Sequence, residues 1–487
     1  MKIKINDLMQ QSGVKFGTSG ARGLATEMTD QVCYTYTKGF LQYLEESGEL
    51  KKTVKSVALA GDLRPSTRRI MGAVAKAVSD MGYSPINCGT IPSPAVALYG
   101  IENGCPAIMV TGSHIPDDRN GIKFNKCTGE ILKYDEEQIR EQVVEIDESI
   151  FTGEGFDLPE EEIDARIDYV QRYLRAFSRT CLQGVNIGIY QHSAVGRDVL
   201  IEIFSGLGAN VVPLGFSSVF VPVDTEAIRE EDVALAREWS AEHGFDVIIS
   251  TDGDSDRPLI SDENGNWLRG DVAGILAAKY LGADSVSTPV SCNTALEKCG
   301  WFKDIRRTKI GSPFVVASMI EAAFAGCKGV VGYEANGGFL TNSDFMVFGN
   351  ELRALPTRDA VLPVLSIILL SLKEQKPISD LVAQLPQRFT ASDRIQDFPT
   401  EESRKIVERF KDASTIESAF GEVFGKVESI DRTDGLRVTF ESQEVLHMRP
   451  SGNAPEFRCY NEAASEERVQ EMQKQSMELL LCMKNEG

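Results

Sequence analysis

One layout occurs three times along the chain and limits its architecture more than any other feature. From Ser56 ("SVALAGD") the sequence runs through a helical pattern at Arg68 to Met81 and into "GYSPINCG", ending at Gly89. From Val185 ("VNIGIY") it runs through "GRDVLIEIFSGLGANVVPLG" to Gly215. From Ala283 ("ADSVSTPVS") it runs through "NTALEKCGW" and "IRRTKIG" to Gly311. Each reads as strand, short polar loop, helix, glycine, strand, glycine. Such a segment closes only as a parallel βαβ unit with a right-handed crossover. At intervals of about a hundred residues, the three predict related α/β domains.

The tail follows another pattern. "VESIDRTDGLRVTFE" (Val427 to Glu441) predicts a hairpin with Asp434-Gly435 in its turn. A strand "VLHMR", a loop "PSGNAPE", a strand "FRCYNEA" and an amphipathic helix near Glu466 to Lys484 follow, giving an α+β domain on an antiparallel sheet. At 487 residues the chain exceeds what one hydrophobic core serves. Loop-like stretches near Phe151 to Glu162, Asn264 to Gly270 and Lys373 to Pro377 mark the boundaries. The expected domains are therefore α/β at residues 1–155, 156–266 and 267–377, with mixed sheets, and α+β at 378–487.

The formal net charge of −21 argues against nucleic acid and anionic membrane as partners, since both need a basic face. An anionic substrate would require the positive groups to be gathered in one place. The start, MKIKINDLMQ, lacks the apolar run and cleavage site of a secretory signal. The longest apolar stretch, Ala360 to Leu372, is interrupted by Pro363 and too short to cross a bilayer. The ten cysteines are scattered, with no CxxC pair and no clustering with the four histidines, and read as reduced thiols in the cytoplasm.

Four glycine-punctuated loops carry chemistry, one in each expected domain. In "FDVIISTDGDSDR" (Phe245 to Arg257) an apolar strand ends in Asp252, Asp254 and Asp256. Alternate side chains of an extended loop converge, so these offer three hard oxygen ligands, and Mg²⁺ is the expected ion. A calcium loop with Glu263 at its twelfth position would need glycine where Arg257 stands, and a helix in place of the strand. In "AIMVTGSHIPDDRNGIKF" (Ala107 to Phe124) Ser113 sits at a strand end beside His114, with Lys123 ten residues on. It is not a nucleophile elbow, but a serine hydroxyl can attack phosphorus when a cation neutralises the phosphoryl oxygens. A plain turn fits the same residues. "VVGYEANGGFL" (Val330 to Leu340) presents Glu334 and Asn336 as partners for sugar hydroxyls, or as a glycine-rich turn. "RPSGNAPEFR" (Arg449 to Arg458) alternates Arg449, Ser451 and Asn453 around Gly452, as a phosphate nest or a strand connection.

Taken together with "FGTSGARG" (Phe16 to Gly23), and in the same order along the whole chain, these loops resemble the α-D-phosphohexomutase family. The resemblance implies four domains around a central cleft, the first three α/β and the fourth a smaller α+β domain. It implies that Ser113 is the phosphoserine and that Asp252, Asp254 and Asp256, with a phosphoserine oxygen, bind one Mg²⁺. Arg22, His114, Lys123 and Arg257 would surround the transferring phosphoryl group, with Lys123 the leading acid/base. Glu334 and Asn336 would meet the sugar, Arg449, Ser451, Gly452 and Asn453 the phosphate that is not transferred, and Lys309 and Arg458 would also bind substrate. The implied reaction interconverts hexose 1-phosphate and hexose 6-phosphate through a 1,6-bisphosphate, which also serves as activator. The implied enzyme is a cytoplasmic monomer or homodimer acting on a small molecule.

Three departures bear on the sugar: Asn336 replaces a common serine, and Gly338 and Ser312 stand where many members place histidine. Mannose phosphate is the expected sugar, with glucose and glucosamine phosphates as alternatives. Outside the class stand a phosphoserine-forming sugar-phosphate hydrolase, which would need no second phosphate loop, and a non-catalytic sugar-phosphate or calcium-binding protein.

Overall fold

The run SVALAG carries no polar alternation, and as strand Ser56–Gly61 it is buried on both faces, as the interior of a parallel sheet requires. The computed structural model describes residues 1–50, 53–153, 155–451 and 455–485. It divides into two compact units, Met1–Val286 with Gly311–Leu381, and Ser287–Ile310 with Val382–Gly487.

The first unit holds two mixed sheets that position the site. In one, the strands lie in the order Lys15–Phe16, Gly20–Leu24, Arg119–Lys126, Ala107–Val110, Ser56–Gly61 and Ser84–Thr90, with Gly129–Glu130 paired to Arg119–Lys126. Ser56–Gly61 runs parallel to both its neighbours, and Ala107–Val110 turns back antiparallel into Arg119–Lys126. Helix Thr67–Asp80 makes the expected crossover, burying Ile70, Met71, Val74 and Val78. The stacked rings of Phe40 and Phe124, 4.6 Å apart, fill the core beneath helix Asp30–Ser47, which Thr29 caps through the Val32 N–H. Full burial of each ring stabilises by roughly 1.5–3 kcal/mol.

The second sheet orders Asn210–Phe216, Asn186–His192, Val247–Thr251 and Pro258–Ile260. Its first two pairings are parallel, with helices Arg197–Gly206 and Glu230–His243 as the connections, and its last is antiparallel. The turn at Asn264–Gly270 leads into helix Gly270–Leu281. Further on, Val330–Tyr333 folds back on Phe339–Thr341, and the apolar run from Ala360 becomes helix Val361–Glu374.

In the second unit, an antiparallel sheet of five strands runs Phe389–Ile395, Phe457–Ala463, Val445–Pro450, Leu436–Phe440 and Val427–Asp431. The expected hairpin is present, with Gly435 at φ 82° in its turn. Helix Glu466–Asn485 lies last. Among the described residues no disulfide joins the cysteines, and no helix is long and apolar enough to cross a membrane.

Candidate active site

Strand Ala107–Val110 delivers Ser113 in a left-handed conformation, φ 58°. That conformation costs a side-chain-bearing residue about 1–2 kcal/mol, so the surroundings must enforce it. They do so through a buried brace. Thr111 Oγ1 accepts from the Ser113 N–H at 2.7 Å and donates to Asp62 Oδ2 at 2.7 Å. Arg64, ion-paired with Asp62, donates from Nη2 to the carbonyl of Ser113 at 2.8 Å and to that of Ile115. The Arg64 guanidinium also stacks on Phe220, 4.2 Å from the ring centre. Gly112 leaves room for it, since a Cβ there would lie 2.8 Å from Arg64. The backbone at Ser113 is thus held, and its hydroxyl is left to point inward.

Strand Val247–Thr251 brings the three aspartates to the same place. One carboxylate oxygen from each of Asp252, Asp254 and Asp256 lies within 4.8 Å of the others, all buried. Ser113 Oγ donates to Asp252 Oδ2 at 2.6 Å. The approach depends on Gly253, because a Cβ there would stand 2.7 Å from the Ser113 carbonyl oxygen. Lys123 Nζ donates to both Asp254 and Asp256, the latter at 2.6 Å, and Ser93 Oγ to Asp254 at 2.5 Å.

Asp254 Oδ1 and Asp256 Oδ1 are buried with no hydrogen-bond partner among the described residues. Burial, with the neighbouring Asp254 and Asp256 carboxylates, pushes Asp252 well above the usual carboxylate range. Burial works the same way on Asp254, but Lys123 outweighs it and holds that group below its usual range. Three hard oxygens, two of them open and one carrying excess repulsion, fit a divalent cation. Glu263 is elsewhere: its carboxylate takes the Ser379 N–H at 3.2 Å and the Ser379 hydroxyl. The calcium-loop alternative therefore lacks its twelfth ligand.

Cationic groups lie close to Ser113. Strand pairing sets Arg22 opposite Gly121 and Gly20 opposite Lys123, so Arg22 and Lys123 leave the sheet on one face. Burial, then Arg257 and Arg358, lowers the Arg22 pKa to about 10. Arg257 Nη1 donates to His114 Nδ1 at 2.9 Å, and the same ring nitrogen is 3.4 Å from Ser113 Oγ. Burial and the Arg257 charge depress His114 to about 3, so the ring is neutral. With Nδ1 accepting, its proton sits on Nε2, 3.9 Å from Asp224 Oδ2. Arg22 Nη2 and Arg257 Nε are buried without a hydrogen-bond partner among the described residues, as donors awaiting an anion would be.

The loop of Glu334 and Asn336 lies in the same unit. Glu334 and Asn336 are both buried, and the loop is anchored by Thr225 Oγ1, which donates to the Asn336 carbonyl at 2.6 Å. Arg358 connects it to the aspartates: Nη2 is 3.1 Å from Asp256 and Nη1 is 3.7 Å from Glu334. Burial opposes the Arg358 charge, but Asp256, Glu130 and Glu334 more than offset it and raise its pKa. Glu130 in turn accepts from Ser19 at 2.5 Å, Ser312 at 2.6 Å and Thr357 at 2.8 Å. Ser312 thus donates its hydroxyl to the Glu130 carboxylate.

The remaining predicted residues belong to the second unit. Arg449 and Arg458 are directly paired across adjacent strands, and Arg394 pairs with Arg458 on its other side. Three like charges in one row are costly without an anion. Asp434 holds Arg449 at 2.9 Å, and Glu456 lies 3.3 Å from Arg394 and 3.2 Å from Arg458. Ser451 is buried, and Lys309 is exposed after strand Asp304–Thr308. Gly452 and Asn453 lie outside the described residues.

Asp62, Arg64, Glu130 and Arg358 brace the site from outside the loops that the sequence pattern marks. Asp62 and Arg64 alternate directly after a buried strand, a spacing that could have marked them. Glu130 and Arg358 are single charges in otherwise ordinary loops and offered no such signal.

Family models match nearly the whole chain. They are those of phosphoglucomutase/phosphomannomutase alpha/beta/alpha domain I at residues 13–149, domain II at 167–265, domain III at 269–389 and the C-terminal domain at 381–479. The chain is 45% identical over 465 residues to a phosphomannomutase of Salmonella muenchen, covering 95% of this chain and 94% of that one. It is 41% identical over 473 residues to a phosphomannomutase of Sinorhizobium fredii, covering 96% and 99%. A phosphoglucosamine mutase of Clostridium botulinum is 26% identical over 472 residues, covering 94% and 96%. In fold, the chain matches a phosphoglucomutase/phosphomannomutase family protein of Burkholderia thailandensis with a TM-score of 0.74 at 18% identity, covering 96% and 97%.

Proposed function

The chain belongs to the phosphoglucomutase/phosphomannomutase family, and on that premise we propose that it is a phosphomannomutase, interconverting mannose 1-phosphate and mannose 6-phosphate through a phosphoserine at Ser113. The single observation that carries this reading is the meeting of Ser113 with Asp252 at 2.6 Å, beside His114 and the Arg257 guanidinium that holds it. The more similar relatives bear the phosphomannomutase name, which favours mannose over glucosamine as the sugar.

In the first half-reaction a free hydroxyl of the sugar phosphate attacks the phosphorus on Ser113. A phosphorus–oxygen bond forms to the sugar and the bond to Ser113 Oγ breaks. The proton of the attacking hydroxyl ends on Oγ, and Lys123, held between Asp254 and Asp256, is the relay we assign to it. Arg22 and Arg257 take the equatorial phosphoryl oxygens through the donors they leave open. Neutral His114, its Nδ1 engaged by Arg257, orients that guanidinium. Asp252, Asp254 and Asp256, with a phosphoryl oxygen, would hold Mg²⁺, which neutralises charge at the phosphoryl group when bound. Glu334 and Asn336 receive sugar hydroxyls, Arg449, Ser451, Gly452 and Asn453 are assigned to the phosphate that is not transferred, and Lys309 and Arg458 complete the substrate-binding set. The 1,6-bisphosphate then reorients and returns its other phosphoryl group to Ser113, and the same compound charges an unphosphorylated enzyme.

We read the chain as four domains divided near residues 155, 266 and 377, working in the cytoplasm as a monomer or homodimer. The test is transfer of label from ³²P-hexose 1,6-bisphosphate to the protein in the presence of Mg²⁺. One labelled site at Ser113, absent from Ser113→Ala, supports the mechanism. Equal labelling of the Ser113→Ala variant would refute it.

A further inference from the structure

Arg358 is the largest of the fully buried side chains, with 1% of its surface exposed, and it lies outside every loop that the sequence marks as functional. It enters between carboxylates of three segments. Nη2 is 3.1 Å from Asp256 Oδ2, Nη1 is 3.7 Å from Glu334 Oε2, and Nε is 3.7 Å from Glu130 Oε1. None of these is a closed set of hydrogen bonds: Nε and Nη2 of Arg358, Oε2 of Glu334 and Oδ1 of Asp256 all lack a hydrogen-bond partner among the described residues. A buried guanidinium and two buried carboxylates that leave donor and acceptor positions open form a site waiting for a polar ligand.

The backbone is built to admit this side chain. A Cβ at Gly338 would stand 2.7 Å from both Cγ and Cδ of Arg358, so the arginine runs through the space that any other residue at 338 would fill. Gly338 N–H is tied to Asn336 Oδ1 at 3.0 Å, which joins the position of Arg358 to that of the second polar residue of the sugar loop. From below, Glu130 is held by Ser19, Ser312 and Thr357, so the anchor of Arg358 is itself fixed.

We infer that Arg358 is a positioning residue of the sugar site, bracing Glu334 toward the hydroxyls of a hexose phosphate and tying that carboxylate to Asp256 of the aspartate cluster. The inference rests on the mutase reading above. Losing the guanidinium frees Glu334 to swing, so discrimination between a sugar and its deoxy analogue is the property that falls. A site built to hydrogen-bond a hydroxyl rejects the analogue lacking it strongly, because buried polar groups are left unpaired.

The experiment compares kcat and KM for mannose 1-phosphate with those for its 2-, 3- and 4-deoxy analogues, in the wild type and in Arg358→Met, Arg358→Lys and Gly338→Ala. In the wild type at least one analogue should lose about tenfold or more in kcat/KM, the scale of a lost hydrogen bond to a charged group. Arg358→Met should lower that penalty to within about twofold of unity, and Arg358→Lys should recover part of it. Gly338→Ala keeps the arginine but displaces it, and should reproduce the loss even where Arg358→Met fails to fold. A deoxy penalty unchanged in Arg358→Met, or in Gly338→Ala when the former does not fold, overturns the inference. So does an active wild type that accepts all three analogues equally. A wild type with no mutase turnover on any hexose phosphate overturns the functional reading itself, and is distinguished by failing before any variant is compared.

Discussion

Ser113 Oγ donates to Asp252 Oδ2 across 2.6 Å, joining two loops that lie 139 residues apart in sequence. The contact places the proposed nucleophile on the carboxylate that its neighbours make hardest to ionise. Asp252 is raised by burial and by Asp254 and Asp256, and only a cation or a proton relieves it.

That strain gives opposite signs for stability and activity in Asp252→Asn. The amide matches the protonated acid in shape, so without added metal the thermal midpoint should stay the same or rise. Turnover with Mg²⁺ should fall by about 10²-fold or more, the scale of removing a group that stabilises charge in the transition state. Calorimetry without metal and mutase assays with it check the pair. A midpoint well below wild type would contradict the repulsion.

Gly253→Ala tests the closeness of the same loops. Its Cβ would sit 2.7 Å from the Ser113 carbonyl oxygen, so one loop must shift. We expect about 1–3 kcal/mol of lost stability, as for other overpacked positions, together with a large fall in kcat at little change in KM. Denaturant titration and steady-state kinetics read both. Normal kcat would mean that the Ser113 position tolerates displacement.

The brace beneath Ser113 separates a structural from a catalytic loss. Arg64→Met leaves Asp62 buried and unpaired, which should cost about 3–5 kcal/mol. Asp62→Asn combined with Arg64→Met removes the stranded charge and should recover much of that stability. Turnover should not recover with it, since the carbonyls of Ser113 and Ile115 remain unheld. Recovery of activity in the double variant would show that the brace is not needed for positioning.

The second unit carries an acid sensitivity of its own. His447 is buried, stacked on Tyr460 at 5.2 Å, with Nε2–H donating to the Asp434 carbonyl at 2.6 Å. Burial lowers its pKa from 6.5 to about 4; Arg437 and Arg449 push in the same direction, while Asp434 and its carbonyl pull back. Between those two values the unfolded chain binds a proton that the folded one refuses, so stability is full above about pH 6.5 and falls as pH drops toward 4. The loss approaches roughly 3 kcal/mol at most. Urea midpoints at pH 7 and 4.5 should show it for wild type and show less for His447→Gln. Equal pH slopes in both proteins would assign the sensitivity to other groups.

How much of this is legible in the sequence differs from loop to loop. Asp252, Asp254 and Asp256 stand two apart at the end of an apolar strand, and period-two spacing alone aims them together. The strand–helix–strand segments are legible for the same reason, since the hydrophobic period changes where the element does. Arg358 is not, because one arginine in "LPTRDAVLPVL" looks like a helix start, and its meaning depends on Asp256, Glu334 and Glu130 arriving from elsewhere. His114 is visible as a residue, but its neutral state follows from Arg257, 143 residues away. Local pattern carries the candidate ligands, whereas the groups that tune them are set by tertiary contact.

The most direct measurement is phosphorus NMR of the protein with Mg²⁺, mannose 1-phosphate and a trace of hexose 1,6-bisphosphate. A mannose 6-phosphate signal should grow without inorganic phosphate, and none of that growth should occur with Ser113→Ala. Inorganic phosphate as the only product, or undiminished conversion by Ser113→Ala, would contradict the phosphoserine mutase reading.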